Sequence, residues 1–209
     1  MLANIKRAEA LADVIEVRFD CLRGDQIENF KSQISNLKCA KPLLATFRSP
    51  EEGGNREMSL DERRAFWGEQ QDSFWAADLE EDVISGVGNY SAKIVSFHDF
   101  DGVPDNIDQI FDRLSRTGAE IIKIAVTAND ITDAIPVWKL LDRAKAVDKK
   151  MISIAMGKAG KWTRILGLAH GAYLTYASLG AGKETADGQL NARDLAVSCF
   201  FALIERSIR

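Results

Sequence analysis

Apolar positions along this 209-residue chain gather into short, near-continuous runs separated by longer amphipathic stretches. The runs predict strands over residues 13–20, 41–49, 74–82, 92–100, 120–127, 151–156 and 172–178. Such continuity is expected of parallel strands covered on both faces. The stretches between them predict helices at roughly 26–37, 59–72, 81–87, 105–117, 131–148 and 162–170, with a last helix from about 191 to 207. Two of these have start signals. Ser59-Leu-Asp-Glu62 reads as a capping box, and Asn191 is a good N-cap. Alternating strands and helices mean an α/β fold with a parallel sheet.

Seven strands and about as many helices in this length fit a single (β/α)8 barrel domain spanning residues 1–209. The rival is an open doubly wound sheet, but no glycine-rich dinucleotide fingerprint follows any strand. Gly157-Lys-Ala-Gly160 is the nearest approach; it reads either as an anion-binding turn ahead of a helix or as a plain tight turn. Residues 1–11 read as a helix, where a barrel would place a strand first. The expectation is therefore a barrel whose first strand is missing from this N-terminus, leaving backbone groups on two strands to be paired otherwise.

Composition narrows the function classes. A net charge of −4 and a pI near 5.3 argue against nucleic acid as the main partner. No apolar stretch approaches the roughly 20 residues of a membrane helix, and the start has no signal-peptide core. Cys21, Cys39 and Cys199 lack metal-ligand spacing and read as reduced cysteines of a cytoplasmic protein. With two histidines, a multi-histidine metal site is not expected.

The candidate chemistry starts from Lys123, inside the apolar run Ile121-Ile-Lys-Ile-Ala-Val126. A lysine there must be paired or partly neutral, and a neutral amine attacks ketones and aldehydes to form a Schiff base. A structural ion pair is the plainer reading. Parallel barrels gather function at the C-terminal strand ends. There the first strand has Glu16, Arg18 and Asp20 at alternate positions, which puts them on one face, either functional or paired to helices. The second ends at Arg48 and leads into the long polar loop 49–58 with Glu51, Glu52 and Arg56. The third has Asp78 and Glu80. The fourth ends in Ser96-Phe-His98, where His98 can serve as a general acid or base. Arg164 is a candidate anion clamp, residues 182–189 a candidate lid, and His170 a helix terminus.

Six short segments, in order, resemble type I 3-dehydroquinate dehydratase, the Schiff-base enzyme of the shikimate pathway. They are Ala12-Asp-Val-Ile-Glu-Val-Arg-Phe-Asp20, Pro42-Leu-Leu-Ala-Thr-Phe-Arg48 through Glu52-Gly-Gly54, Ser96-Phe-His-Asp-Phe100, Ile122-Lys-Ile-Ala125, Met156-Gly157 through Thr163-Arg164, and Gly188-Gln189. The resemblance implies a (β/α)8 barrel that dehydrates 3-dehydroquinate to 3-dehydroshikimate. It implies that Lys123 forms the imine, His98 moves the protons and Glu52 orients His98. It further implies that Glu16, Arg18 and Arg48 hold ring hydroxyls, and that Arg164 holds the carboxylate beside Thr185 and Gln189. No metal or organic cofactor is implied; a homodimer is compatible. The lid reads Thr185-Ala-Asp-Gly-Gln189 where the family usually has Ser-Ala-Pro-Gly-Gln. Asp187 thus puts a negative residue near a carboxylate, which loosens the lid or weakens binding. Two other readings stand beside this one: a class I aldolase acting through the same lysine, and a domain excised from a dehydratase–shikimate dehydrogenase fusion.

Overall fold

The computed structural model describes residues 2–34, 37–69, 73–87, 90–180, 182 and 185–207. The chain divides into two units, one ending at Ser96 and the other beginning at Phe97.

The first unit opens on helix α1 (Leu2–Ala8), then β1 (Ile15–Arg18), α2 (Gly24–Ile34), β2 (Leu43–Thr46), α3 (Leu60–Glu69) and β3 (Ala76–Glu80). Strand β4 (Ala92–Asp99) runs through its boundary. The strands pair in parallel in chain order, with Arg18 opposite Thr46, Thr46 opposite Asp78, and Glu80 opposite Ser96. Side chains alternate between faces, so this register sorts the residues by chemistry. Odd-numbered Ile15, Val17, Phe19, Leu43, Ala45, Phe47, Ala77 and Leu79 join Ile5, Ile27, Phe30, Phe66 and Trp67 of the helices in one buried cluster. Phe19 lies at its centre, edge-on to Phe30, Phe66 and Phe74 at 5.0–5.7 Å. Even-numbered Glu16, Arg18, Thr46, Arg48, Asp78, Glu80 and Ser96 fall on the opposite face. Among the described residues Glu16 accepts from Thr46 of β2 and Arg18 donates to Asp20, rather than pairing with α-helix residues.

The capping box holds as read. Ser59 N donates to Glu62 Oε2 at 2.8 Å, and Glu62 N donates to Ser59 Oγ at 3.3 Å, starting α3 at Leu60. Residues 70–72, the expected end of this helix, lie outside the described residues. The helix expected at 81–87 is one 3-10 turn, Ile84–Gly86. Asp20 also leaves its strand, within the 3-10 turn Phe19–Cys21.

The second unit takes the end of β4, then α4 (Ile107–Ser115), β5 (Ile121–Thr127), α5 (Ala134–Ala146), β6 (Lys150–Met156), α6 (Gly157–His170) and α7 (Ala192–Ser207). β5 and β6 pair in parallel from Ile121 opposite Lys150 to Thr127 opposite Met156. Ile110, Phe111 and Leu114 of α4 and Val137, Leu140, Leu141 and Ala144 of α5 are buried. Asn191 caps α7, its Oδ1 accepting from Asp194 N at 3.0 Å.

Two expectations are corrected here. Residues 172–178 form no strand. Tyr173 N donates to Met151 O at 2.8 Å, and Ser178 makes an isolated parallel bridge with Asn191. A strand exists only through a continuous ladder with one neighbour, and two contacts to different segments do not make one. Helix α6 starts at Gly157 rather than 162, so Gly157–Gly160 is its first turn. Among the described residues, no strand precedes α1, and no helix is long and apolar enough to cross a membrane.

Candidate active site

In the first unit the polar face builds a dense charge cluster. Arg18 donates two parallel hydrogen bonds to Asp20, Nε to Oδ1 and Nη2 to Oδ2, both 2.7 Å. The geometry is the bidentate fork in which arginine binds carboxylates best. Asp20 also accepts from Arg48 N at 3.4 Å and from Asn55 N and Nδ2 at 3.2 Å. Burial works to raise the Asp20 pKa, but Arg18 and Asn55 outweigh it and hold the carboxyl below its ordinary value. Glu16 accepts from Thr46 Oγ1 at 2.8 Å.

Arg48, 3% exposed, is the hub. Its Nη2 donates to Asp78 Oδ1 at 2.7 Å; its Nη1 donates to Ser96 Oγ at 2.7 Å and Glu52 Oε2 at 3.3 Å, and lies 3.5 Å from Glu80 Oε1. Burial alone would lower its pKa, but Asp78, Glu52 and Glu80 raise it instead, so the guanidinium stays charged. Glu80 is shared with Arg63, which also pairs with Asp82. Glu52 is placed by a turn that only glycine permits: a Cβ on Gly54 would lie 1.8 Å from Arg48 O, while Gly54 N donates to Ser49 O at 2.7 Å.

In the second unit Lys123 is 6% exposed, in the middle of β5 opposite Ile152. Its Nζ lies 4.3 Å from the centroid of the Tyr176 ring, a cation–π distance. His98 lies at the end of β4 and is partly exposed.

Arg164, in the second turn of α6, is 2% exposed. Its one side-chain hydrogen bond among the described residues is long: Nη2 to Asp187 O at 3.5 Å. Its Nε is buried without a partner among them. Burial pulls its pKa down to about 10, against the opposing influence of Asp187. At that value it is still a cation at neutral pH, but one that protein groups scarcely compensate.

The loop over it is pinned at Asp187–Gly188. Gly157 N donates to Asp187 O at 3.3 Å, and a Cβ on Gly188 would lie 2.4 Å from Gly157 O. Thr185 and Gln189 face each other: Thr185 N and Oγ1 donate to Gln189 Oε1 at 2.9 and 3.4 Å. Residues 183 and 184 of the expected lid lie outside the described residues. His170 stacks on Trp138 at 4.4 Å, with its Nε2 3.1 Å from Asp142 Oδ1, apart from this chemistry.

Among the described residues no three His, Cys, Asp or Glu side chains gather into a metal-binding group. Sequence reasoning passed over Asn55 and Tyr176. Asn55 follows the Gly53-Gly54 pair, but its Nδ2 donates to Asp20, 35 residues earlier in the chain, so no local turn signal could have found it. Tyr176 had no such signal either, since its contact with Lys123 crosses from one segment to another.

Comparison with known proteins gives a consistent result. The type I 3-dehydroquinase family profile matches residues 1–201. The 3-dehydroquinate dehydratase of Methanothrix thermoacetophila is 34% identical over 201 residues, covering 91% of this chain and 83% of that protein. The chloroplastic bifunctional 3-dehydroquinate dehydratase/shikimate dehydrogenase of Arabidopsis thaliana is 33% identical over 207 residues, 93% of this chain but 34% of that protein. Among solved structures, a type I 3-dehydroquinate dehydratase from Clostridium difficile, with covalently modified comenic acid, aligns at TM-score 0.83 and 27% identity. It covers 97% of this chain and 87% of its own. The fold class is accordingly the α/β barrel type of these enzymes.

Proposed function

Because the chain belongs to the type I 3-dehydroquinase family, we propose that it dehydrates 3-dehydroquinate to 3-dehydroshikimate through an imine on Lys123, with His98 as the general acid–base. One observation carries this reading. A lysine lies buried in a parallel strand, in the same unit as a buried arginine that the protein scarcely pairs. An amine can capture a ketone, and an uncompensated guanidinium suits a carboxylate; 3-dehydroquinate has both groups.

The reaction balances with these residues alone. The Lys123 amine adds to the C3 ketone and expels water, forming the iminium. His98 takes the C2 proton, and the electron pair moves into the iminium as an enamine. The enamine expels the C1 hydroxyl, which His98 protonates as it leaves. Water then hydrolyses the imine, returning Lys123 and the enone. The net change is loss of one water. Proton transfer by a placed histidine contributes roughly 10²–10⁴ in rate, and the iminium supplies the electron sink. No metal or organic cofactor enters the proposal.

Arg164 takes the substrate carboxylate in this reading, with Thr185 and Gln189 in the loop beside it. The family resemblance assigns Glu52 the orienting role and Glu16, Arg18 and Arg48 the ring hydroxyls. The small molecule is the proposed partner; neither nucleic acid nor a membrane is invoked.

Borohydride reduction with 3-dehydroquinate, read by intact and peptide mass spectrometry, tests it. The expected result is a ligand-sized mass gain on Lys123, absent from Lys123→Ala, whose turnover falls by about 10⁴-fold or more. Folded protein that forms no adduct, or Lys123→Ala that turns over normally, defeats the imine mechanism. An adduct with sugar phosphates but not dehydroquinate would move the chain to the aldolases.

A further inference from the structure

Asp187 supplies the one hydrogen-bond acceptor that the Arg164 side chain has among the described residues. Its backbone carbonyl accepts from both Gly157 N and Arg164 Nη2, so it lies between the N-terminus of α6 and the buried guanidinium. Its carboxylate is exposed and local: Oδ1 accepts from Gly188 N at 2.8 Å, and Oδ2 comes within 3.9 Å of where a Cβ on Gly157 would lie. The segment cannot easily shift, because Gly188 packs against Gly157 O. A helix N-terminus and a buried arginine whose Nε has no partner among the described residues attract an anion. A fixed carboxylate beside them repels it.

Resting on the carboxylate-binding role proposed for Arg164, we propose that Asp187 is an affinity-tuning residue whose negative charge weakens carboxylate binding at Arg164. The charge offsets part of the guanidinium field in the empty protein and opposes any incoming anion. Because it is exposed, solvent screens it, and its effect is a modest fold-change rather than a block. It acts on the carboxylate, which takes no part in bond making, so ground state and transition state feel it alike.

A rival role is structural, since Oδ1 also caps Gly188 N. Asp187→Asn separates the two: it keeps an oxygen for Gly188 N and removes the charge. With 3-dehydroquinate as probe, Asp187→Asn should raise kcat/KM about three- to tenfold in low salt, and the gain should shrink toward unity at about 0.5 M salt. Asp187→Glu restores the charge and should return kcat/KM to near the wild-type value. In the Lys123→Ala background, where no turnover intervenes, Asp187→Asn should tighten the calorimetric Kd for 3-dehydroquinate by a similar factor. Unchanged or lower kcat/KM in Asp187→Asn, or a gain insensitive to salt, overturns the charge role while wild-type turnover stands. Wild-type protein that neither binds nor turns over 3-dehydroquinate overturns the functional reading itself, and this inference with it.

Discussion

Arg48 and Arg164 are exposed to nearly the same extent, 3% and 2%, yet their surroundings differ in kind. Arg48 meets Asp78, Ser96, Glu52 and Glu80, and its charge is held firmly. Arg164 reaches one backbone carbonyl at the limit of hydrogen bonding, and burial pulls its pKa down to about 10. A buried charge that protein groups compensate is held in place before any ligand arrives. One that they leave short belongs to whatever completes it. The cost of an under-paired buried cation is tolerated where a ligand supplies the missing acceptors, as stability yields to function at binding sites.

The two arginines should therefore respond oppositely to mutation. The largest effect expected is on stability in the first unit. Asp78→Ala leaves the Arg48 guanidinium short of its best acceptor and should cost about 3 kcal/mol, read from urea denaturation. At Arg164 the trade reverses. Arg164→Met should leave stability unchanged or raise it by about 1 kcal/mol, since an under-paired charge is removed. The same change should raise KM for 3-dehydroquinate roughly 10–100-fold, the loss of one charge-assisted contact. Equal stability losses at both sites would break the comparison.

A smaller effect sharpens it through pH. Asp20 is compensated like Arg48, and its folded pKa lies below the unfolded value near 3.9. A depressed carboxyl contributes its stability in full above the unfolded value and loses it as pH falls through the folded one. Stability of the wild type should thus decline below about pH 4. Asp20→Asn should be less stable at neutral pH and converge on the wild type in acid, with a flatter acid limb. Parallel curves would show that Asp20 carries no such linkage.

Much of this was legible in the residues. The runs that became β1 to β6 are apolar enough to name themselves, though the predictions for β1 to β5 overran their strands by up to three residues at an end and that for β6 began one residue late. The Ser59–Glu62 box and the Asn191 cap are local devices, satisfied within one helical turn, and both formed. Lys123 stood out because a charge inside such a run conflicts with its neighbours, and it is buried as expected. The segment 172–178 has strand composition and is no strand, because propensity cannot provide the neighbour that a ladder requires. Asp20 shows the same limit more mildly. Alternation put it beside Arg18; the turn at Phe19–Cys21 took it out of the strand, and its carboxylate met Arg18 all the same.

The sequence by itself thus determined the order of the strands β1 to β6, two of the helix starts and the residues able to do chemistry, because these depend on groups a few positions apart. Only the tertiary structure decided which charges are compensated. Asp78 and Ser96 reach Arg48, and Asp187 reaches Arg164, from segments 23 to 48 residues away in the chain. Hydrogen bonds and ion pairs fade within a few ångströms, so whether a buried arginine is fully paired or left short depends on what folding brings within that reach.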